Sequence, residues 1–500
     1  MPTANALHSF RYRPHCLSAS MLNAIKASIL LALGVCSFGM TLTEACAQDT
    51  SDLQVGFASV DITPTIPTPM AGYYGVRYST GTHDPLWAKA TWLSDGQTSA
   101  ALITIDLIAT TPWMVRETRR IVEEKLGLPP HAVMISASHS HTGPMLFESE
   151  SAMVGRFGNQ TDEAKRYMLE LPAKIAASVA EAKTAARSVS IQHGVGTETK
   201  LAFNRRFFMR DGTVGWNPGK LNPNIVREAG PTDDSLPIVC FTEDSRKIVG
   251  VLSNFAIHLD TVGGTLWSAD MPFTMEESLQ RVFGSECHIQ YATGCCGDVN
   301  HIDVRSSLPQ GGNGEAARIG TRLAAAVLRQ MPMLQPVSGM RVHASHTKLR
   351  LPVAPHTAER SQWARGVLER IEAKQTPPFM EMVEAYRIAD VEARADGTID
   401  AEVQVISLSP EIAWVALPGE IFVQLGIAIH DASPFSTTSI HELANGSIGY
   451  VPTRQAYSQG NYEVVSARCA EGSGEQMVDE AIRQLRAHYE MQRASASKKP

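Results

Sequence analysis

The stretch Met134-Ile135-Ser136-Ala137-Ser138-His139-Ser140-His141-Thr142-Gly143-Pro144 puts two imidazoles two residues apart, where a short apolar strand runs into a Thr-Gly-Pro turn. In an extended segment residues i and i+2 point the same way. His139 and His141 can therefore enter one pocket, as metal ligands or as a ligand and an acid/base. Two surface histidines in a polar loop are the plain alternative. Four other segments deliver polar groups in a similar way. Residues 254–258 are an apolar strand ending in His258, which reads equally as a core histidine. Residues 294–301 form a glycine-rich loop, suited to close backbone approach to a ligand or to a tight turn. Residues 417–422 place Glu420 between a strand and a helix, where a carboxylate also suits the helix dipole. Residues 445–453 carry Tyr450, followed by Tyr457 and Tyr462, which read equally as packing aromatics.

The surrounding pattern alternates strands and helices, as α/β chains do. Strands are expected over 55–64, 100–108, 132–137, 188–197, 248–258, 287–292 and 340–351, with a hairpin over 402–417. Helices are expected over 112–126, 161–186 (with Pro172 as a kink), 271–283, 315–329, 356–373, 380–395 and 474–489. No internal repeat and no long linker is visible. The expectation is one large α/β domain, with sheets at the centre and helices outside.

The chain has 500 residues and a formal net charge of −7, with no basic block of the kind a nucleic-acid partner requires. Lys26, the apolar run 27–36 and Ala45-Cys46-Ala47 before Gln48 make a secretory signal peptide with cleavage after Ala47. A buried N-terminal helix is the structural alternative, and Met21 competes with Met1 as the start. The apolar core is too short for a membrane span. The expected division is a leader over 1–47, the catalytic domain over 48–493 and a polar tail over 494–500, in a secreted or periplasmic protein. Cys16, Cys36 and Cys46 fall in the leader. Cys240, Cys287, Cys295, Cys296 and Cys469 remain, an odd number that leaves at least one thiol unpaired. One disulfide, with Cys287 near the Cys295–Cys296 pair, stays open. With no C-x-x-C pair, a cysteine zinc site is not expected.

Taken together, the segments resemble the neutral/alkaline ceramidase family, the zinc-dependent N-acylsphingosine amidohydrolases. The resemblance begins at Val55-Gly56-Phe57-Ala58-Ser59-Val60-Asp61-Ile62-Thr63-Pro64 and Gly81-Thr82-His83-Asp84-Pro85-Leu86. It continues through the His-Ser-His-Thr-Gly-Pro and Asn-Phe-Ala-Ile-His segments and Ser268-Ala269-Asp270, to Leu-Pro-Gly-Glu and Gly-Tyr-Val. It covers most of the mature chain in the family's order. It implies Zn²⁺ held by His139, His258, Glu420 and Tyr450. It also implies His141 beside the metal, where it helps polarise or protonate the substrate. Arg205, with Arg206 as its close competitor, matches the family's arginine, and Tyr462 would hydrogen-bond the amide carbonyl. The implied substrate is an N-acyl amide of ceramide-like type, met at a membrane surface without a transmembrane span.

The chemistry is coherent in its own right. Two imidazoles and a carboxylate suit zinc with an open position for water, and the metal lowers that water's pKa and polarises a carbonyl. His141 and Tyr462 would stabilise the oxyanion and help the amine leave. A phenol ligand must lose or share its proton, and the cation supplies the reason it can. Two departures stand out. Where the family has Gly-Asp-Val-Ser-Pro, with a serine proposed as nucleophile, this chain has Gly297-Asp298-Val299-Asn300-His301. No room is left for the C-terminal immunoglobulin-like domain of longer members. Two other readings therefore accompany the ceramidase-like one: the same scaffold acting on a different amide or ester, and a catalytically silent binding protein.

Overall fold

Three sheets, two of five strands and one of four, share one connection pattern through four of their strands. The computed structural model describes residues 53–146, 161–243, 246–337 and 339–497; the expected leader lies outside them. In the first unit β1 (Gln54–Asp61), β2 (Trp87–Ser94), β3 (Ser99–Ile105) and β4 (Val133–Ala137) lie side by side in chain order. The second unit has β5 (Ser190–Thr197), β6 (Ser235–Thr242), β7 (Ile248–Phe255) and β8 (His288–Thr293). The third has β9 (His343–Pro352), β10 (Thr398–Ser407), β11 (Ile412–Ala416) and β12 (Thr437–His441). In each, the first two pairings are antiparallel and the last is parallel. A parallel pairing needs a crossover, and each unit makes it with a helix: α1 (Pro112–Leu126), α3 (Met271–Phe283) or α7 (Val423–Ala432). A second helix follows each fourth strand and packs against the first: α2 (Asp162–Thr184), α4 (Asn313–Gln330) and α8 (Ser473–Ser497). The sequence shows no repeat because only the order of elements recurs.

Local signals explain most of these boundaries. Thr111 caps α1 by accepting from the Met114 N–H, Pro112 opens the helix, and Gly127 ends it in the left-handed region. Each unit buries its helix pair on its own sheet, around Ile103, Val122 and Val179, around Ile238, Met275 and Leu323, and around Val415, Ile429 and Ala481. Polar contacts tie the sheets together at the centre. Thr91 meets Gln290 at 2.6 Å, Ser136 meets His441 at 3.2 Å, and His193 meets Thr437 at 2.8 Å.

Two general consequences position the site. First, the parallel pairs end in register, Ile105 beside Ala137, Phe255 beside Thr293 and Ala416 beside His441. The segments leaving these carboxyl ends hold the candidate ligands, where α/β sheets commonly bind. Second, each unit's first and second strands are joined by a long connection, residues 62–86, 198–234 and 353–397. The third carries the helical pair α5 (Ala358–Glu372) and α6 (Phe379–Glu392).

Two expectations differ from the structure, and a third point left open is answered. Strands β2, β6 and β12 were not anticipated: β2 and β12 bury polar Lys89, Thr91, Thr437, Thr438 and Ser439, and β6 carries Pro237, so none of them reads as an unbroken apolar run. Helix α8 continues to Ser497, through the start of the segment expected to be a polar tail. The five remaining cysteines are all free and buried, with no disulfide among the described residues.

Candidate metal centre

Strand β4 stops at Ala137, so extended-chain alternation does not deliver the histidine pair. His139 instead adopts φ 73°, a left-handed conformation that a non-glycine residue holds only when its surroundings fix it. Those surroundings are visible. The N–H groups of Ser138 and His139 donate to the carbonyls of Ile105 and Leu107. The hydroxyls of Ser140 and Thr142 donate to the Ser268 carbonyl, at 2.6 and 3.0 Å. Asp84 in turn accepts from the Ser268 hydroxyl at 2.7 Å and the Ala269 N–H at 2.6 Å. The Thr-His-Asp-Pro-Leu and Ser-Ala-Asp segments thus buttress the histidine loop.

His258 enters from the end of β7. The three Nε2 atoms converge: His139 to His258 at 3.0 Å, His141 to His258 at 3.1 Å and His139 to His141 at 3.3 Å. Two of the rings are fixed from behind. Carbonyls only accept, so Nδ1 of His139 donates to Ile108 at 2.7 Å and Nδ1 of His141 donates to Gly72 at 2.9 Å. Neutral rings held this way aim Nε2 lone pairs at one point, which is unfavourable unless an electrophile sits there. Zinc ligands at about 2.0–2.1 Å in a tetrahedron lie roughly 3.3 Å apart. The three histidines can therefore hold a metal ion. Behind His258, Nδ1 lies 3.8 Å from the Cys296 thiol, which donates to Glu442 at 2.9 Å.

A fourth donor is at hand. Glu420 Oε2 is 3.5 Å from His139 Nε2 and is buried without a hydrogen-bond partner. Burial raises the pKa of Glu420, but His139 and the Tyr450 hydroxyl outweigh it and hold the carboxyl below its ordinary range. Burial pushes the His141 imidazole down to about 4, and the charge of His139 adds to that. The same two causes depress His258. His139 is raised, because Glu420 outweighs its burial. Burial pushes Glu442 up to about 8, although the Cys296 thiol and the charge of His139 pull the other way. Glu442 Oε2 accepts from the Cys296 and Ile421 N–H groups, at 3.0 and 2.9 Å, and so joins the glycine-rich loop to the Glu420 strand. That loop does make a close approach, since a Cβ on Gly297 would overlap the Glu420 carbonyl.

The remaining expected residues fall into place around this cluster. Arg205 donates to the Tyr450 hydroxyl at 3.0 Å, to the Gly297 carbonyl at 2.8 Å and to Glu463 at 2.9 Å. Arg206 instead donates to the other Glu463 oxygen at 2.9 Å and to Gly460 and Gln459. Arg205 is thus the member of the pair that faces Tyr450. Burial, with the charge of Glu420, pushes the Tyr450 phenol up. Tyr462 lies 5.4 Å from Tyr450 ring to ring and stacks on Trp216 at 4.3 Å. Asn300 is turned to structural work, donating to Asn217 at 3.1 Å and accepting from the Ile302 N–H at 3.0 Å. His139, His141, Glu420, Tyr450 and Tyr462 line one cleft of about 840 Å³. Sequence reasoning missed Glu463, Glu442 and Trp216. Glu463 follows Tyr462 directly, but nothing in its spacing signals two buried cations.

No protein-family model matches the chain, and no curated protein matches it. Among solved structures, the neutral ceramidase from Pseudomonas aeruginosa superposes with a TM-score of 0.69 at 18% identity, over 88% of this chain and 75% of that one. A ceramidase complexed with C2 gives 0.68 at 17% identity, over 88% of this chain and 76% of that one. The architecture, mixed α/β with several sheets flanked by helices, is the neutral ceramidase fold.

Proposed function

We propose that this chain is an exported, zinc-dependent amidohydrolase that cleaves N-acyl amides, and that residues 48–493 are its catalytic domain. The observation that carries this reading is the convergence of three Nε2 atoms within 3.3 Å of one another, two backed by carbonyls, beside an unpartnered Glu420 oxygen. The likeness in fold to ceramidases supports an amide bond as the target. His139, His258 and Glu420 would hold the metal with Tyr450, and His141 would stand at the substrate side. Bound zinc supplies a Lewis acid and a lowered water pKa. Hydrolysis adds water across the C–N bond, giving a carboxylic acid and an amine. His141, neutral over the working pH range, takes and returns the proton. Tyr462 holds the acyl oxygen, and Arg205 keeps Tyr450 oriented. Asn300 has no part in this scheme.

Zinc content of the purified protein, then turnover of an N-acyl panel with and without chelator, tests the reading. The expected result is about one zinc per chain, lost in His258→Ala, with chelator-sensitive cleavage. A protein that takes up no zinc sinks it. Asn300→Ser is expected to leave kcat within a few-fold, and His141→Ala to lower it about 10²-fold with the metal retained. A parent inert on every amide that gains turnover only as Asn300→Ser would favour a silent scaffold instead. N-terminal sequencing of exported protein is expected to begin at Gln48.

A further inference from the structure

The wall of the cleft contributed by the 353–397 connection and its surroundings gathers three guanidiniums, two of them on one carboxylate. Asp390 Oδ2 accepts from Arg468 Nε at 2.5 Å and from Arg394 Nη2 at 3.4 Å. Arg387, whose side chain is 12% exposed, reaches Glu384 only at 3.8 Å, and Arg360 already engages that carboxylate. Among the described residues, the Nε atoms of both Arg387 and Arg394 are buried with no hydrogen-bond partner. An unpaired buried donor costs free energy, and burial with the charges of Arg360 and Arg468 disfavours the Arg387 cation further. A basic residue suits the carboxyl end of α6, which accounts for Arg394. It does not account for Arg387, which lies inside the helix. All three arginines line the same cleft as His139 and Glu420. Arg468 reaches the metal end, packed so tightly on Gly449 (φ 79°) that a Cβ there would overlap its Nη1. Apolar side chains of Met145, Leu146 and Val383 line the cleft as well.

We propose that Arg387 and Arg394, with Asp390 and Arg468 positioning them, form an anion subsite that binds a carboxylate or phosphate on the substrate. The cleft then takes an anionic N-acyl amide, its acyl chain on the apolar lining and its charged group on the arginines. Guanidinium forks match both oxyanions bidentately. The proposal rests on the hydrolase reading above and narrows its substrate class.

Three compounds with one acyl chain test it: an N-acylglycine, an N-acylethanolamine phosphate and the uncharged N-acylethanolamine. Calorimetric binding to the zinc-loaded protein and kcat/KM are measured separately. At least one anionic compound is expected to bind about 10-fold or more tightly than the neutral one, and which anion wins identifies the group. Arg387→Gln is expected to bring that ratio within twofold at unchanged zinc content. Should Arg387→Gln fail to fold, Arg394→Gln carries the test, because its side chain is 34% exposed. Equal affinity for all three compounds, or a preference that survives both substitutions, overturns the subsite. Selective binding without cleavage leaves the subsite standing and sinks the hydrolase reading. Cleavage of all three at equal kcat/KM, without selective binding, does the reverse.

Discussion

Two arginine clusters stand at the cleft, one lining it and the other behind its Tyr450 wall, and they spend their donors differently. At Arg205 and Arg206 each guanidinium takes its own oxygen of Glu463, and further donors reach Gly297, Tyr450, Gly460 and Gln459. At the other cluster Arg394 and Arg468 share one oxygen of Asp390, and the buried Nε atoms of Arg387 and Arg394 have no hydrogen-bond partner among the described residues. In the saturated cluster both Glu463 oxygens are taken, and the two guanidiniums are braced on them and on neighbouring carbonyls. Its role is to fix Arg205 against Tyr450. The unsaturated cluster has donors to give, and the missing acceptor belongs to whatever enters the cleft.

The largest expected effect falls on the saturated cluster. Glu463→Ala takes from two buried guanidiniums the carboxylate that they share, and breaking such a buried arrangement costs about 3–5 kcal/mol. Denaturant unfolding is expected to show that loss. A variant within about 1 kcal/mol of the parent would break the distinction between the clusters. Asp390→Asn removes the charge shared by Arg394 and Arg468. It is expected to cost less, about 1.5–3 kcal/mol, while tightening anion binding, since the surplus positive charge grows. If anion binding weakens instead, the carboxylate is part of the recognition rather than a brace for it.

The difference between the clusters explains what could be read from the chain. Arg205 and Arg206 are adjacent and chemically alike, so spacing cannot tell which one faces Tyr450; the tertiary pairings of Asn204 with Val299 and of Arg206 with Trp216 set their directions. Arg387 and Arg394 lie on and just beyond α6, where charges look like an ordinary solvated face. The histidines were legible because their segments end apolar strands, although the left-handed turn at His139, not strand alternation, aims the first of them. Strands with one solvated face left a visible pattern. Those buried on both sides were legible where they are apolar runs, as at Ser99–Ile105, and not where polar side chains are buried in them, as at Lys89 and Thr91 of Trp87–Ser94. The threefold recurrence of sheet and helix pair was illegible for a different reason. Each unit satisfies the same connection rule with unrelated side chains, and the long first-to-second-strand connections, which differ most, supply much of the cleft.

The smallest effect isolates what a cation does for a buried carboxylate. Glu463 has two guanidiniums; Glu442 has only the N–H groups of Cys296 and Ile421 and the Cys296 thiol. Burial pushes Glu442 up to about 8, whereas an unfolded chain releases that proton near the ordinary value of 4.5. Between those values the folded state holds a proton that the unfolded state has lost. Stability therefore falls as pH rises across the window. Glu442→Gln removes the titration and keeps an oxygen for the two N–H groups. In metal-free protein, the variant's Tm is expected to exceed the parent's by about 2 °C at pH 8. That difference is expected to shrink toward zero at pH 5. A difference that stays flat over this range would mean that Glu442 is ionised in the folded chain. An N–H cradle would then serve a buried carboxylate as well as two arginines do.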